Sequence, residues 1–239
     1  MNKTAIIIPS RLASRRLPNK PLLEINNKSM ILHVWERAKK SNVDDIFVAT
    51  SDDDIVNEIK TNGGNVILTG DHHTTGSDRI CEAISKLKSN YEIIINLQGD
   101  MPNINPETIS MINNFMISNT NVLVSTVASK LDKNEISDQN VVKVVTSNNL
   151  KEKKFLKALD FVRSITNEEF FYHHIGLYAY KRSALSDFEK LDKTYNETNR
   201  SLEQMRFIDH NIDIFVGYTD DNPLSIDTKK DLEKIRKIL

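Results

Sequence analysis

The chain has 239 residues, 39% of them apolar and 27% charged, a balance that suits a soluble globular protein with a sizeable core and argues against disorder. Its 32 basic and 33 acidic residues create no overall field toward nucleic acid or a membrane surface, so any anionic ligand must be met by a local basic cluster. The longest apolar runs, such as Ala5–Ile8 and Ile93–Ile95, are strand length and do not span a bilayer.

Strand and helix patterns alternate through the first half. Ala5–Pro9 reads as a strand, and the polar segment Ser10–Lys20 follows it. A helix is expected over Ser29–Lys40, where Met30, Ile31, Val34 and Ala38 recur near helical spacing. Ile46–Thr50 is the next strand; Asp52 or Asp53 then caps a helix carrying Ile55, Val56 and Ile59, which stops at Gly63-Gly64. Val66–Leu68, a helix over about Ser77–Lys88, and Ile93–Leu97 complete this half. Such an order predicts a parallel sheet covered on both faces, with ligands outside the carboxyl ends of its strands. Loops 10–20, 69–79 and 98–103 should converge there.

The second half is less regular. Val122–Val127, Val141–Thr146, Phe155–Val162, Ile175–Tyr180 and Ile212–Tyr218 read as strands, some of them antiparallel. Glu197–Arg206 reads as one helix, Thr228–Leu239 as a closing helix capped by Thr228, and the polar stretch Ser129–Asn140 as a flexible excursion. No repeat or interdomain linker interrupts the chain. The expectation is a single domain over 1–239, with roughly 130–210 forming a smaller β-rich lobe. Cys81 stands alone, which fits a reducing cytoplasm and a core-facing helix residue. The N-terminus enters strand one too soon for a cleavable signal, so a cytoplasmic location is expected.

Chemistry is concentrated in Pro9-Ser10-Arg11-Leu12-Ala13-Ser14-Arg15-Arg16-Leu17-Pro18-Asn19-Lys20-Pro21-Leu22. Arginine forks onto phosphate oxygens and lysine supplies a compact charge, while the small residues Ser10, Ala13 and Ser14 let backbone N–H groups approach an anion. The segment suits a triphosphate; a solvated basic loop is the alternative. Loop 10–20 contains no glycine, which excludes the Walker pattern and the dinucleotide fingerprint. Asp100 follows an apolar strand and a Gln-Gly turn, and Asp227 follows Leu224–Ile226 just before a helix. Either could hold a metal, or serve as a turn residue and a helix cap respectively. His72 and His73 are neighbours in a loop with no third ligand at matching spacing, so metal ligation is not expected of them.

The basic segment resembles the signature of the 3-deoxy-manno-octulosonate cytidylyltransferases. Four further stretches match that family in order: Gly76-Ser77-Asp78-Arg79, Asn96-Leu97-Gln98-Gly99-Asp100-Met101-Pro102, His174-Ile175-Gly176-Leu177-Tyr178 and Ile226-Asp227-Thr228, and Leu202-Glu203-Gln204 before a basic residue is a fifth echo. The resemblance covers nearly the whole chain. It implies a nucleotide-diphospho-sugar-transferase-like α/β fold, and a reaction in which CTP and 3-deoxy-D-manno-octulosonate give CMP-3-deoxy-D-manno-octulosonate and diphosphate, feeding lipopolysaccharide synthesis. It also implies a homodimer formed through the β-rich lobe, and Mg2+ held by Asp100 and Asp227.

Under the same resemblance CTP would meet Ser10, Arg11, Arg16, Lys20, Thr75, Gly76, Ser77, Arg79 and Asp100, with Arg15 the least tightly specified member of the loop. Arg11 and Lys20 would join the two aspartates in catalysis. The acidic sugar would meet Gln98, Arg163, His174, Tyr178, Glu203 and Gln204, Arg163 pairing with its carboxylate. His174 and Tyr178 lie four apart on a strand and so should share a face. One departure stands out: Met101 replaces the family's usual glutamate. A different acidic acceptor, an amino-octulosonate or a nonulosonate, and a non-catalytic nucleotide-binding regulator are the rival readings. Magnesium-dependent diphosphate release separates the last from the others.

Overall fold

A computed structural model describes residues 3–14, 16–43, 45–73, 75–165 and 170–239. Arg15 lies outside the described residues. The first half runs β1 (Thr4–Pro9), the two-residue strands β2 (Glu24–Ile25) and β3 (Lys28–Ser29), α1 (Met30–Lys39), β4 (Asp45–Thr50), α2 (Asp53–Thr61), β5 (Asn65–Leu68), α3 (Gly76–Lys86), β6 (Ile93–Asn96) and α4 (Pro106–Ser118). The second half runs β7 (Val124–Lys130), β8 (Lys143–Thr146), α5 (Leu150–Lys153), β9 (Phe155–Val162), β10 (Phe171–Lys181), α6 (Arg182–Phe188), α7 (Tyr195–Arg200), α8 (Met205–Asp209), β11 (Ile214–Tyr218) and α9 (Lys229–Ile235).

Side chains alternate across a strand, and both faces of β1 are apolar because both are covered. Ile6 and Ile8 pack with Ile31, Val34 and Trp35 of α1, Ile55 and Ile59 of α2, and Ile109, Ile112 and Met116 of α4. Ala5 and Ile7 face the other way, onto Ile80, Cys81 and Ile84 of α3 and Ala184, Leu185 and Phe188 of α6. The sheet runs β5-β4-β1-β6-β10-β7-β11-β9-β8. Its first four strands are parallel, and the direction of chain winding reverses between β1 and β6. A crevice forms at such a switch point, outside the carboxyl ends of the strands.

Beyond β6 the sheet becomes mixed: β10 is antiparallel to β6 and β7, while β11 runs parallel to β7. Because β10 also pairs with β8, the strands β7, β11, β9, β8 and β10 close into a five-membered ring. Closure removes free edges. Two of those strands, β7 and β11, lie outside the 130–210 span expected for the lobe.

Three sequence expectations change. Glu197–Arg206 is not one helix: Ser201 takes a left-handed conformation (φ 53°) and separates α7 from α8, which lets Leu202 turn into the core. Ser129–Asn140 is not wholly an excursion, because β7 extends to Lys130. The remainder is tied down by Glu135 to His173 (3.0 Å) and by Lys143 Nζ donating to the Asp138 carbonyl. α4 was not foreseen, although Asn105 caps it and Pro106 opens it.

A third cluster has direct consequences for the site. Leu17, Ile25 and Met30 pack against Ile226, Leu232 and Ile235, docking α9 onto the segment after β1. Thr228 caps α9 in a reciprocal box with Asp231, so the chain turns sharply just after Asp227. Burying this small apolar set is what brings residue 227 beside residue 20.

Candidate active site

The crevice holds a cavity of about 920 Å3, large enough for a nucleoside triphosphate, walled by the segment after β1, the start of α3 and the turn after β6. Asn19 adopts a left-handed conformation (φ 56°) just before a short 3-10 turn over Lys20–Leu22, which sets the direction in which Lys20 leaves the backbone. The ammonium of Lys20 donates to Asp100 Oδ2 at 2.8 Å, Asp227 Oδ1 at 3.1 Å and the Ile226 carbonyl at 2.8 Å. Arg16 reaches the other oxygen of Asp227 at 3.0 Å. Burial alone would lower the Lys20 pKa; Asp100 and then Asp227 outweigh it and hold the ammonium above its usual value. Two carboxylates from opposite ends of the chain thus converge on one cation. Such a pair of hard oxygen donors also fits a divalent ion that completes its shell with phosphate oxygens and water.

Other walls of this cavity supply anion-binding groups. Ser10 is buried at 6% exposure and its hydroxyl has no hydrogen-bond partner among the described residues, leaving it for a ligand in the cavity. Thr75 caps α3 through the Asp78 N–H, so the positive end of an eleven-residue helix opens onto the cavity at Gly76. Gly76 starts this helix. Arg79 is buried; it donates to Thr69 Oγ1 and the Gly70 carbonyl, and burial followed by the nearby Arg11 lowers its pKa. Arg11 donates to the His73 carbonyl at 3.1 Å. Glycine at 99 lets the turn after β6 pass close to β1: a Cβ there would lie 3.2 Å from the Pro9 carbonyl and 3.3 Å from Ile31, a tight fit. Met101 is buried in the core with Leu97 and Ile104, so the position where the family carries glutamate is here part of the packing.

A second cavity of about 270 Å3 adjoins the first and shares Thr75, Gly76 and Gln98 with it. Tyr178, Glu203 and Gln204 line it, as does Ser77, whose hydroxyl donates to Glu203 Oε2 at 2.6 Å. The Tyr178 hydroxyl is buried without a hydrogen-bond partner among the described residues, and burial raises its pKa well above the usual tyrosine value. Gln98 donates to Asn96 Oδ1 at 3.0 Å and stands at the junction of the two spaces.

Two predicted residues are not brought to these walls. Arg163 is engaged elsewhere: its guanidinium donates to the carbonyls of Arg200 (3.0 Å), Gln139 (3.0 Å) and Ser201 (3.3 Å). His174 sits behind Tyr178 with ring centroids 5.4 Å apart, on the shared side that the spacing predicted, and its Nε2 meets Thr126 Oγ1 at 3.1 Å. Sequence reasoning missed Asn96 and Tyr180, which also line the smaller cavity. The signal was available, since each lies two residues along a strand path from a predicted contact, Gln98 or Tyr178. It also missed a second role for Asp52: at the N-cap of α2, where it was expected, its carboxylate makes no cap bond and instead accepts from the Leu12 N–H at 2.9 Å, anchoring the basic loop.

Residues 5–214 match the family described as cytidylyltransferase. A 3-deoxy-manno-octulosonate cytidylyltransferase from Bartonella quintana (strain Toulouse) is 42% identical over 99% of this chain and 98% of its own. The chain belongs to the 3-deoxy-manno-octulosonate cytidylyltransferases. It is accordingly a nucleotidyltransferase. Another member, from Rhodopseudomonas palustris (strain BisB18), is 40% identical over 99% of this chain and 98% of its own. Among solved structures, a CMP:2-keto-3-deoxy-manno-octonic acid synthetase complexed with CTP superposes with a TM-score of 0.92 at 34% identity, covering 99% of this chain and 98% of that one. A 4-diphosphocytidyl-2C-methyl-D-erythritol synthase from Anaerococcus prevotii shares the fold at a TM-score of 0.68 and 16% identity.

Proposed function

We propose that the chain transfers the cytidylyl group of CTP to the anomeric hydroxyl of 3-deoxy-D-manno-octulosonate, giving CMP-3-deoxy-D-manno-octulosonate and diphosphate by direct displacement. The observation that carries this reading is the pair of adjoining cavities that meet at Gln98, with Lys20, Asp100 and Asp227 lining the larger one. The larger space takes CTP. Ser10, Arg11, Arg16 and Lys20 meet its phosphates, and Thr75, Gly76, Ser77 and Arg79 form the side where the nucleotide lies against α3. The smaller space takes the sugar, whose hydroxyls meet Gln98, Tyr178, Glu203 and Gln204.

Phosphoryl-type displacement depends on positioning and on neutralising charge more than on covalent help from the protein. Asp100 and Asp227 would hold Mg2+, which when bound would supply Lewis-acid charge at the phosphates and favour ionisation of the attacking hydroxyl. Lys20 already bridges the same two carboxylates, so the site is electrically closed in the free protein. Binding of the anionic nucleotide draws the ammonium of Lys20 toward phosphate oxygens. Arg11 and Arg16 stabilise the departing diphosphate. Arg163 and His174 act on the sugar from a distance: Arg163 braces the Arg200–Ser201 bend that leads to Glu203, and His174 backs the Tyr178 ring.

Residues 130–210 contribute most of the sugar-facing lobe, and a homodimer forms through it. Among the described residues no helix is long and apolar enough to cross a membrane, and we place the enzyme in the cytoplasm, supplying lipopolysaccharide synthesis.

The test is diphosphate release with CTP, magnesium and 3-deoxy-manno-octulosonate, each omitted in turn, and with ATP, GTP or UTP in place of CTP. Release that requires all three and prefers CTP is the expected result. CTP binding without release would move the acceptor assignment to another acidic sugar, and absence of CTP binding would overturn the reading.

A further inference from the structure

We infer that His72, His73 and Glu82 form a second metal site, distinct from the Asp100–Asp227 pair, that takes a borderline transition-metal ion of the zinc class and fastens residues 70–73 to α3. The two histidines are sequence neighbours and supply two nitrogens. What the sequence spacing does not reveal is the third donor, Glu82, which α3 brings back to them. One donor atom from each of the three residues lies within 4.8 Å of the others. Around tetrahedral zinc, nitrogen and oxygen ligands stand roughly 3.4 Å apart. His73 Nε2 and Glu82 Oε2 are in direct hydrogen-bond contact, so an ion would part that pair slightly while His72 closes toward it.

The surroundings are built as a ligand set requires. The imidazole rings of His72 and His73 lie with centroids 4.3 Å apart and planes tilted by 39°, which keeps both on one side of the loop. Gly70 makes room for them: a Cβ there would lie 2.4 Å from His72 Cε1, so any other residue would push the ring out. Glu82 is oriented from two directions, accepting from the Gly70 N–H at 2.8 Å and pairing with Lys86 at 2.6 Å. Second partners that fix a ligand's direction in this way are a regular feature of metal sites. His72 is exposed and the other two are half-buried, so a metal ion can enter from solvent and keep a water as its fourth ligand. Two imidazoles and one carboxylate suit zinc and its neighbours; magnesium prefers oxygen alone.

The site would act on the loop that borders the nucleotide cavity. Arg11 grips the His73 carbonyl and Arg79 grips the Gly70 carbonyl, so a metal pinning these residues steadies two arginines at once.

The experiment is a zinc titration of the full chain carrying Asp100→Asn, with magnesium in excess, read by competition with a chromophoric chelator. One zinc per chain is expected. Affinity should fall at least about tenfold with His72→Ala, and again with Glu82→Gln. Zinc should raise the Tm of the parent and not of either variant. His72→Ala removes an exposed side chain, so its reading does not depend on a fragile fold. Failure to take up zinc, or uptake indifferent to both substitutions, would overturn the proposal and leave His73–Glu82 as an ion pair only. Diphosphate release by the unmutated chain is independent of either outcome.

Discussion

Two clusters in this molecule use the same chemistry, cationic side chains against carboxylates, and the contrast between them separates a site from a brace. Arg206 forks onto Glu197 through Nε and Nη2, both residues are below 10% exposure, and Glu197 also closes the capping box at the start of α7. The hydrogen bond to Glu197 raises the Arg206 pKa despite its burial. That pair is sealed. Lys20, Asp100 and Asp227 are instead graded outward, at 17%, 24% and 42% side-chain exposure, and both carboxylates line an open cavity. A sealed pair is matched to itself and costs stability when broken; a graded one is matched to something that arrives from outside.

Asp100→Ala breaks the open cluster and carries the largest expected effect. Diphosphate release should fall at least about 100-fold, while the unfolding free energy changes by less than about 1 kcal/mol, because Lys20 keeps Asp227 as a partner. Near-normal turnover of the folded variant would remove Asp100 from the chemistry.

Glu197→Gln tests the sealed cluster and should give the opposite pattern. It leaves the Arg206 charge buried beside the Phe188 ring with one proper partner fewer, at a cost of about 3–5 kcal/mol in chemical denaturation. Turnover per folded molecule should change only a few-fold, through Glu203 and Gln204, which lie between the two short helices that the pair holds. A stability loss below 1 kcal/mol would mean that the fork is not the brace described.

How much of this was legible before the structure depended on whether the signal was local. The strand-then-helix order of the first half announced a sheet covered on both faces, and the two cores on either side of Ala5–Ile8 confirm it. α4 escaped notice because its residues are apolar on more than one side, although Asn105-Pro106-Glu107 spells a helix start. The break at Ser201 was hidden because any polar residue can take the left-handed turn when a neighbour, here Leu202, gains a place in the core. At the site, Lys20, Asp100 and Asp227 were named from the family's motifs, but their meeting depends on α9 docking through Leu232 and Ile235. No spacing along the chain encodes that contact. Arg163 shows the same limit: a guanidinium has five donors, and only tertiary context shows that three carbonyls have claimed it.

A third treatment of charge sharpens the contrast, and it belongs to His174. Here the protein neither shares the charge nor pairs it but excludes it. Burial, followed by the neighbouring His173, pushes the pKa down from 6.5 to about 3. Thr126 donates to the Leu177 carbonyl at 2.8 Å, which leaves its oxygen to accept from the His174 Nε2–H and assigns the neutral tautomer. The sign follows from linkage: the unfolded chain takes up a proton at pH 6.5 and the folded chain does not until about pH 3. The stability contributed by a neutral His174 is therefore complete above pH 6.5 and drains away as the pH falls through that window, by at most about 1.4 kcal/mol per pH unit. His174→Gln keeps a hydrogen-bond donor for Thr126 but does not titrate, so its denaturation midpoint should decline less steeply than the parent's between pH 6.5 and 4.5. Parallel slopes would show that the imidazole is protonated in the folded protein, placing it with the open cluster and not behind it.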